Sequence, residues 1–479
     1  MRRLADARAF GFASQELASK RPDLSAKAGL TIVQRAIGWA LLIAFVLFLF
    51  TGTSITLAVS GAVLGIAFSL IILLRLMAAI AAMIPASAKP PARTPDSQLW
   101  TLTILIPLLR EGPAVVRELI RSIAALDYPV AKLDIKILVE ADDETTLQAV
   151  FAADPPAWFD IIPVPPGEPR TKPKALNYGL ASARGRVVAV FDAEDRPSPD
   201  QPRTAMAAFQ GDRGDLAVVQ APLLIHNGKD GWLAKQFEVE YAIHFRMWLP
   251  FLTRLGLPLA LGGTCNYFRR DKLETAGGWD AWNVTEDADV GLRLARFGGQ
   301  ACMIAPPTYE EAPATFRPWL NQRTRWMTGL LQTWMVLTRR PFKAASEPGL
   351  LRFLATQVTF GGALLASAMH APLMIWVIAC MAQLGGFELW HAVLFGVGYG
   401  SVVAAAIAAK ATHARPLTLL TLPLYWPLQS LAMLRAFIDM KRKPQFWAKT
   451  PHGRPGAAPL PTGHAPPDNV IQLEFPFAD

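Results

Sequence analysis

The sequence predicts an α/β domain, built around a mostly parallel sheet, that is flanked by apolar helices able to enter a membrane. Apolar strand candidates alternate with helical patterns through the middle of the chain, as in parallel α/β folds. Long uncharged runs precede and follow this region. The chain of 479 residues is 52% hydrophobic with a mean hydropathy of +0.27, which favours a membrane protein.

The first apolar run predicts a helical hairpin in the membrane. Residues 36–74 contain no charged side chain, a length that exceeds one crossing of a bilayer core roughly 30 Å thick. Thr51-Gly52-Thr53 interrupts the run, so we expect two spans, 36–51 and 55–76. Basic residues on both flanks place both ends in the cytoplasm. The expected segments are a cytosolic stretch 1–35, two spans within 36–80 and a linker 81–97.

Strand candidates and helical patterns then alternate between residues 98 and 318. Continuous apolar strands separated by helices predict a mostly parallel sheet with helices on both faces. Ligands bind at the carboxyl ends of the strands in such sheets. The strand candidates are Leu102–Pro107, Ile135–Ala141, Ile161–Val164, Val187–Phe191 and Leu216–Leu224, and the helical patterns are Pro113–Leu126, Asp143–Ala153, Lys174–Ala183 and Pro199–Phe209.

The stretch 319–345 predicts an amphipathic helix at the membrane interface. Trp326, Leu330, Trp334 and Leu337 fall on one stripe, and arginines flank or decorate the helix. The alternative is an ordinary surface helix that packs on the α/β domain.

Three further apolar runs predict a C-terminal membrane bundle, 346–438. Three crossings would leave the basic Lys441-Arg442-Lys443 outside, so we expect one segment to be re-entrant or interfacial, or the longest to cross twice. Residues 439–479 form a basic and then Pro/Gly-rich tail. The three runs lie between Arg352 and Glu388, at 392–409 and at 416–434.

Three carboxylates follow the strand candidate Val187–Phe191. Asp192, Glu194 and Asp195 lie within four residues, directly after an apolar run. Carboxylates at the end of a strand can hold Mg²⁺ or Mn²⁺ against the phosphates of a ligand. An acidic turn without a ligand is the alternative for this stretch taken alone.

Two further motifs lie where a ligand's base and phosphates would be bound. Asp142 and Asp143 follow the second strand and could accept hydrogen bonds from a nucleobase or a ribose. The stretch 171–177 offers Lys172 and Lys174 just before a helix N-terminus, where at least one cation could meet a diphosphate.

An acidic pair and an arginine-containing helix come later in the chain. Glu286 and Asp287, beside a bound cation and diphosphate, are candidates for the general base that activates an acceptor hydroxyl. On a helix, Gln322 lies one turn before Arg325 and Trp326. The planar guanidinium of Arg325 suits a leaving phosphate.

Together these motifs resemble the inverting, family 2 glycosyltransferases, in particular the membrane-embedded cellulose-synthase-like and hyaluronan-synthase-like branch. The likeness spans about residues 98–340, and Gln322-Arg323-Thr324-Arg325-Trp326 matches the family's QxxRW motif. The other residues that carry it are Asp142 and Asp143, Lys174 with Asn177, Asp192-Ala193-Glu194-Asp195, Gly262-Gly263-Thr264-Cys265-Asn266, and Thr285-Glu286-Asp287.

The resemblance implies a GT-A fold that takes a nucleotide-sugar, most often a UDP-sugar, with Mg²⁺ or Mn²⁺. Glu194 is one methylene longer than the family's aspartate, so the neighbouring Asp195 is a further candidate ligand. The resemblance assigns donor binding to Asp142, Asp143, Lys174, Asn177, Asp192 and Glu194, and the metal to Asp192, Glu194 and Asp195. It assigns the base to Asp287, with Glu286 beside it, and the diphosphate and acceptor to Gln322, Arg325, Trp326 and Thr264.

The function expected from this resemblance is synthesis, and export through the trailing helices, of a β-linked polysaccharide. Transfer of one sugar to a lipid or lipid-linked acceptor is the alternative, and a membrane scaffold with an inactive domain is a third hypothesis. The expected partners are the nucleotide-sugar, a growing glycan, membrane lipid and a periplasmic export partner. Candidate stacking platforms for sugar rings are Trp248, Trp279, Trp282, Trp319 and Trp326, and for each of them except Trp326 a place in the core is the favoured alternative.

The expected location is a bacterial-type inner membrane, with the catalytic domain in the cytoplasm. The net charge of +9 is assigned to cytoplasmic flanks, and no nucleic-acid partner is expected. The three cysteines, Cys265, Cys302 and Cys380, have unrelated spacings that fit neither a disulfide framework nor a zinc site. A reducing compartment for the α/β domain follows.

Overall fold

The computed structural model describes residues 2–51, 54–84, 93–212, 214–381 and 389–445. Gly52 and Thr53 of the predicted break, residues 85–92 of the linker 81–97 and residues 446–479 of the tail lie outside these residues. The described chain forms an N-terminal helical region, a central α/β domain and a set of C-terminal helices.

Three helices precede the α/β domain: α1 (Arg2–Lys20), α2 (Ile32–Thr51) and α3 (Ser54–Met83). α1 packs on the α/β domain, where the side-chain amide of Asn177 donates to the Ala13 carbonyl over 3.1 Å. The indole N–H of Trp282 donates to the Ser14 carbonyl over 3.0 Å. The N-terminal stretch is therefore part of the folded domain, and α2 and α3 follow it where the two spans are expected.

The central domain alternates strands and helices as predicted. Its strands form where β-branched and aliphatic residues run together, and these residues make up the buried core. Its first half contains β1 (Leu102–Leu108), α4 (Pro113–Ala124), β2 (Leu133–Glu140), α5 (Glu144–Ala152), β3 (Phe159–Val164), α6 (Lys172–Leu180), β4 (Val187–Val190), β5 (Arg196–Pro197) and α7 (Gln201–Gly211). Its second half contains β6 (Leu216–Gln220), β7 (Leu223–Ile225), α8 (Trp232–Ile243), α9 (Leu249–Arg254), β8 (Asn266–Arg269), α10 (Arg270–Thr275), α11 (Glu286–Arg296), β9 (Gln300–Met303) and β10 (Thr308–Glu310).

Seven strands form the main sheet, in the order β3-β2-β1-β4-β8-β6-β9. Six run in one direction, and β8 runs antiparallel between β4 and β6. The prediction of a mostly parallel sheet is confirmed, but β8 was missed because its four residues include Asn266 and Arg269 and show no apolar run. The predicted strand Leu216–Leu224 is two strands, because Pro222 cannot donate to a ladder and separates β6 from β7.

A second sheet of three strands, β5-β10-β7, lies beside the predicted carboxylate cluster. Tyr309 of β10 pairs with Arg196 of β5, which directly follows Asp195. The small sheet therefore fixes the stretch that leaves the cluster and brings Glu310 towards it.

The C-terminal helices begin with α12, which is buried on most of its surface. Trp319 and Arg323 are 0% and 3% exposed, so α12 is an internal helix between the α/β domain and later helices. The predicted interfacial helix 319–345 is corrected in this respect, because most of α12 is buried and its Arg323 is paired with Glu240 inside the protein. The C-terminal helices are α12 (Phe316–Leu337), α13 (Pro341–Ser346), α14 (Leu350–Thr356), α15 (Gly362–Met381), α16 (Leu389–Ala408), α17 (Pro416–Leu420) and α18 (Leu422–Arg442), with a π-helical turn, Gln357–Gly361, between α14 and α15.

Two stretches among the described residues are apolar and long enough to cross a membrane, Gly65–Met83 and Leu350–Ile375. A shorter apolar helical stretch covers Ala392–Ala408. These findings fit association with a membrane through the first hairpin and the start of the C-terminal region. The full set of crossings expected within 36–80 and 346–438 stays a prediction.

Candidate active site

Two cavities meet at the carboxyl end of the main sheet. A large chamber of about 510 Å³ lies towards the apolar helices, and a small pocket of about 120 Å³ lies over β1 and β2. Lys172, Asp192, Glu194, Gln322 and Arg325 line both cavities. The charged groups that the sequence singles out therefore stand at the boundary between two spaces, one for each of two ligands.

The three carboxylates of the cluster lie in different surroundings: two face the cavities and one is buried. Asp192 and Glu194 face the cavities, whereas Asp195 is 1% exposed and accepts hydrogen bonds from the Thr264 hydroxyl and the Asp192 backbone N–H. Burial and the two neighbouring carboxylates raise the pKa of Asp195 well above its usual range. Asp195 therefore holds the shape of the loop through Oδ2, while its buried Oδ1 has no hydrogen-bond partner among the described residues, so its place among the metal ligands stays a prediction. Thr264 is 2% exposed and lines neither cavity, so its predicted contact with ligand is corrected.

Lys172 is the cation that reaches the carboxylates. It is the first residue of α6, and its Nζ lies 2.5 Å from Asp192 Oδ1 and 3.7 Å from Glu286 Oε1. The same ammonium donates to the Gly263 carbonyl over 2.7 Å. The surrounding carboxylates raise the pKa of Lys172, so it is charged at neutral pH.

The predicted base and its neighbour begin helix α11. Burial raises the pKa of Glu286 to about 7, against the opposing effect of Lys172, and also raises the pKa of Asp287. Both line the large chamber, and Asp287 Oδ1 has no hydrogen-bond partner among the described residues. A buried carboxylate with an open acceptor oxygen suits a general base that works near neutral pH.

Helix α12 holds the loop that carries this pair. The Gln332 side-chain carbonyl accepts the Val284 backbone N–H over 3.2 Å, and Asn283 donates to the Thr333 hydroxyl over 2.9 Å. A Cβ on Gly329 would lie 2.4 Å from the Thr285 hydroxyl, so only glycine allows this close approach. The QxxRW helix and the base are thus one rigid unit.

Arg325 and Gln322 of α12 face the boundary between the cavities. Both line the large chamber and the small pocket, whereas Trp326 lines only the large chamber. The carboxylates of Glu286, Asp287 and Asp192 lie close enough to Arg325 to oppose the lowering of its pKa by burial. The structure therefore brings the three QxxRW side chains to the same place as the predicted base.

Arg323 of the same helix turns the other way and forms an ion pair with Glu240 of α8. Its two terminal nitrogens lie 2.5 and 2.7 Å from the two Glu240 oxygens, and the Tyr425 hydroxyl of α18 donates to Glu240 over 2.8 Å. The guanidinium also stacks 4.8 Å from the centre of the Trp326 ring. We call the contact set Arg323-Glu240-Tyr425 the clamp. It holds the Trp326 ring, which belongs to α12, against α8.

Lys174 and Asn177 do not reach either cavity. Lys174 is 0% exposed and its Nζ lies 2.8 Å from Glu140 Oε1, with the Pro165 and Gly167 carbonyls as further acceptors. The Asn177 amide joins α6 to the backbone of Trp279. Their predicted place in the donor site is corrected, because both side chains hold α6 and the loop before it.

Asp143 and Asp142 also separate into two roles. Asp143 is 7% exposed, caps α5 by accepting the Thr146 N–H, and accepts the Arg110 N–H over 2.6 Å. Asp142 is exposed at the rim, where its carboxylate lies 2.7 Å from Arg170. Arg170 lines the small pocket, so Asp142 is the aspartate of the predicted pair that lies beside a cavity, and donor binding by Asp143 is corrected.

The carboxylates at the boundary fit a hard divalent cation. Asp192 and Glu194 offer oxygen ligands of the kind that Mg²⁺ and Mn²⁺ prefer, and the Lys172 ammonium stands as a cation against Asp192. No group of three or more acidic, histidine or cysteine side chains among the described residues is arranged to hold a metal. The ligands that complete such a site would come from a diphosphate and from water.

Away from this boundary the large chamber is lined mainly by apolar side chains. They come from α3, α8, α9, α12, the π-helical turn and α15, and they include those of the candidate membrane stretches Gly65–Met83 and Leu350–Ile375. Of the five candidate tryptophan platforms, Trp248 and Trp326 line the chamber. Trp279 and Trp319 are in the core, and Trp282 is held by α1 with Lys27 over its ring, so these three are corrected.

Several residues of the site were not assigned from the sequence. Lys172 could have been chosen over Lys174, because it immediately precedes Pro173 and so begins the helix. Arg170 and Glu310 line the cavities without a motif that marks them. Glu240 lies in α8 without a motif that marks it, and its partner Arg323 lies inside the QxxRW motif, but nothing in the sequence joins two residues 83 positions apart.

A solved structure supports the fold. A mannosyltransferase from Pyrobaculum calidifontis, in complex with GDP-Man and Mn²⁺, aligns with a TM-score of 0.52 at 20% identity, over 78% of this chain and 97% of that one. At this identity the likeness shows the fold, which is similar to GT-A, as expected from the sequence.

Curated relatives match about half of the chain. A β-monoglucosyldiacylglycerol synthase of Trichormus variabilis is 26% identical over 55% of this chain and 58% of its own length. The cellulose synthase catalytic subunit of Xanthomonas axonopodis pv. citri is 25% identical over 52% of this chain and 34% of its own length. The chain thus matches little more than half of the first relative and a third of the second.

A family model covers the part of the chain from the carboxylate cluster to the last helix. The model for "Glycosyl transferase family group 2" matches residues 187–428, just over half of the 479 residues. This stretch contains Asp192, Glu286, Asp287 and the whole of α12. The three carboxylates line the large chamber together with Gln322 and Arg325 of α12. With this match, and with the motifs it contains converging on one site, the chain belongs to family 2 of the glycosyltransferases.

Proposed function

We propose that the protein transfers one sugar from a nucleotide-sugar to a hydroxyl group of a lipid or lipid-linked acceptor, with inversion at the anomeric carbon. The observation that carries this proposal is the large chamber, which joins the predicted base to apolar side chains of both candidate membrane stretches. An acceptor with an apolar body could enter from the bilayer and present its hydroxyl to Asp287.

The donor would lie in the small pocket. The pocket is lined by Leu108 and Leu138 at its apolar end and by Arg170, Lys172 and Arg325 at its charged end. Apolar walls suit a nucleobase, and the three cations suit its diphosphate. Asp142, held at the rim by Arg170, would be available to the base or the ribose.

The residues at the boundary would carry the chemistry. Asp287 would take the proton of the acceptor hydroxyl as that oxygen attacks the anomeric carbon from the face opposite the diphosphate. Lys172 and Arg325 would stabilise the negative charge that develops on the leaving diphosphate. A divalent cation held by Asp192 and Glu194 would add to this charge stabilisation. One displacement inverts the anomeric carbon, so an α-linked donor yields a β-linkage.

Synthesis of a β-linked polysaccharide is the second candidate function. Two observations favour it: Trp248 and Trp326 line the large chamber, and one relative is a cellulose synthase catalytic subunit. The placement of the other three predicted platforms away from the chamber favours the lipid acceptor. An export partner and the threading of a polymer belong to this second function alone.

The two functions differ in where the transferred sugar goes. Purified protein in nanodiscs made with native lipid extract would be given radiolabelled nucleotide-sugars, one at a time, with Mg²⁺ or Mn²⁺. We expect label to move into the organic phase as a lipid that carries one sugar. Label that stays in water as a polymer of many sugars would contradict the proposal and support the second function.

A further inference from the structure

An arginine stands among the apolar side chains of the large chamber. Arg75 belongs to α3, within Gly65–Met83, one of the two described stretches able to cross a membrane. Arg75 lines the chamber together with Ile71, one turn earlier on the same helix face, and with Leu74. Charged side chains in such stretches are costly and mark functional sites.

Arg75 has one protein partner within the described part of the chain. Its Nη1 donates to the Ser401 hydroxyl of α16 over 3.1 Å, and that hydroxyl donates in turn to the Gly398 carbonyl over 2.7 Å. A guanidinium carries five N–H donors, so this bond leaves most of them for a ligand. Ser401 fixes the orientation of the group without neutralising its charge.

Two of the other cations that line the chamber are paired with carboxylates of the protein. Arg323 is paired with Glu240, and Lys172 lies against Asp192 and Glu286. Arg75 has no such ion pair with an acidic side chain of the described residues. A cation in apolar surroundings requires an anion, and here the chamber itself is where an anion would enter.

We propose that Arg75, oriented by Ser401, binds the phosphate of the acceptor lipid. The planar fork of a guanidinium matches two phosphate oxygens, which a lysine in its place would not. This inference rests on the proposed transfer to a lipid and narrows the acceptor to lipids with a phosphate in the head group. With the phosphate on Arg75 and the acyl chains among the apolar helices, the acceptor's hydroxyl is directed along the chamber towards Asp287.

Two kinds of lipid offer this chemistry, and binding can distinguish them. One is a glycerophospholipid with free hydroxyls, represented by phosphatidylglycerol against diacylglycerol with the same acyl chains. The other is an isoprenyl diphosphate that carries a sugar with free hydroxyls, represented by that diphosphate-linked sugar against the matching isoprenyl glycoside. Full-length protein in detergent would be mixed with equal amounts of each pair, and native mass spectrometry would count the lipids that stay bound.

Wild-type protein is expected to retain the phosphate-bearing member of one pair over its neutral partner by roughly tenfold or more, the scale of a charge-assisted hydrogen bond. Arg75→Gln should abolish this preference, and Arg75→Lys should reduce it. Arg35→Gln, on the exposed surface of α2 outside both cavities, is the matched control and should keep it. If Arg75→Gln does not fold, Arg75→Lys carries the test alone.

Equal retention of both members by wild-type protein would overturn the inference, and so would a preference that survives in Arg75→Gln and Arg75→Lys. Because the readout is binding, the outcome is separate from that of the proposed function. Protein that shows Arg75-dependent phosphate binding and transfers no sugar would contradict the function alone. Protein that transfers sugar to phosphorylated and neutral lipids equally, with or without Arg75, would contradict this inference alone.

Discussion

At the scale of single residues, the site depends on how burial divides similar side chains between chemistry and structure. Asp192 and Asp195 are three positions apart, yet one faces the cavities and the other holds the loop together. Lys172 and Lys174 are two positions apart, and one meets the carboxylates while the other is sealed against Glu140. A motif identifies the stretch, but the local backbone decides which of its residues meets the ligand.

Asp287 provides the sharpest test at this scale. Asp287→Asn should lower kcat by about 10²–10⁴-fold, because the amide cannot accept the acceptor's proton. Donor affinity should change little, since the cations that bind the diphosphate remain. Turnover can be followed as nucleotide release and affinity by calorimetry. Activity close to that of wild type would exclude Asp287 as the base, and full loss of donor binding would show a structural role instead.

The two lysines make a matched pair. Lys172→Ala should weaken donor binding by roughly tenfold or more, since it removes a cation from the diphosphate, and should cost less stability than Lys174→Ala because its partner Asp192 is 27% exposed. Lys174→Ala should instead destabilise the protein, because it leaves the buried Glu140 carboxylate without its counter-ion. Donor titrations and thermal melts of both variants check this. The reverse pattern would return Lys174 to the donor site.

Glu286 links the site to stability through pH. Its pKa is about 7 in the folded protein against an ordinary 4.5, so the folded state binds the proton more tightly than the unfolded chain does. Stability contributed by this group therefore falls as pH rises from 4.5 to about 7. At pH values above about 7, Glu286→Gln should raise Tm relative to the wild-type protein. Below pH 4.5 this gain in Tm should disappear. The exposed Glu274→Gln is the control, and an equal rise in Tm at all pH values would contradict the account.

At the scale of elements, α12 joins the proposed base, the arginine proposed to bind the diphosphate, and the clamp. Gly329 lets it approach Thr285, and Arg323 ties it to α8. The sequence predicts this helix and its QxxRW residues, but not its burial. Its arginines suggested a polar face towards solvent or lipid head groups, and the acidic partners that bury them come from distant positions such as Glu240.

The clamp can be tested with a double-mutant cycle. Arg323→Met should cost about 2–3 kcal/mol of stability, less than the loss of a fully buried pair because Glu240 is 38% exposed. Arg323→Met combined with Glu240→Leu should recover much of this stability. Both variants should still have a reduced kcat, because Trp326 loses the cation that stacks on it.

Tyr425→Phe is the matched control for this cycle. It removes the hydrogen bond to Glu240 and the acceptor of the Trp319 indole N–H, 3.2 Å away, and leaves the Arg323 ion pair in place, so it should cost about 1–3 kcal/mol and leave kcat unchanged. Recovery of kcat together with stability in the double variant would show that the clamp holds the fold and does not position Trp326.

At the scale of the whole molecule, the sequence predicts the order of parts and much of the sheet. Its apolar strands, from Leu102–Leu108 to Val187–Val190, are visible because each is a continuous run between turns. The antiparallel β8 and the small second sheet are not, since strands of two to four residues with polar side chains carry no periodic signal.

The packing of α1 on the α/β domain and the meeting of the two cavities could not be predicted from the sequence, for a different reason. Both depend on contacts between residues far apart in the chain, such as Asn177 with Ala13 and Trp279. The large chamber likewise collects side chains from α3 to α15, and no local pattern shows that they enclose one space. The apolar lining of this chamber is the basis for the proposal of a lipid acceptor.

The most direct test of the central claim is the rate of nucleotide release against the length of the acceptor's apolar chain. Glycerol and glycerophosphate would be compared with their dioctanoyl and dioleoyl lipids at constant donor, with Asp287→Asn as the blank. The account predicts a rate that rises steeply from the soluble compounds to the lipids, and a product that carries one sugar. A rate that is equal for all of them, with a glycan that keeps growing in their absence, would contradict it.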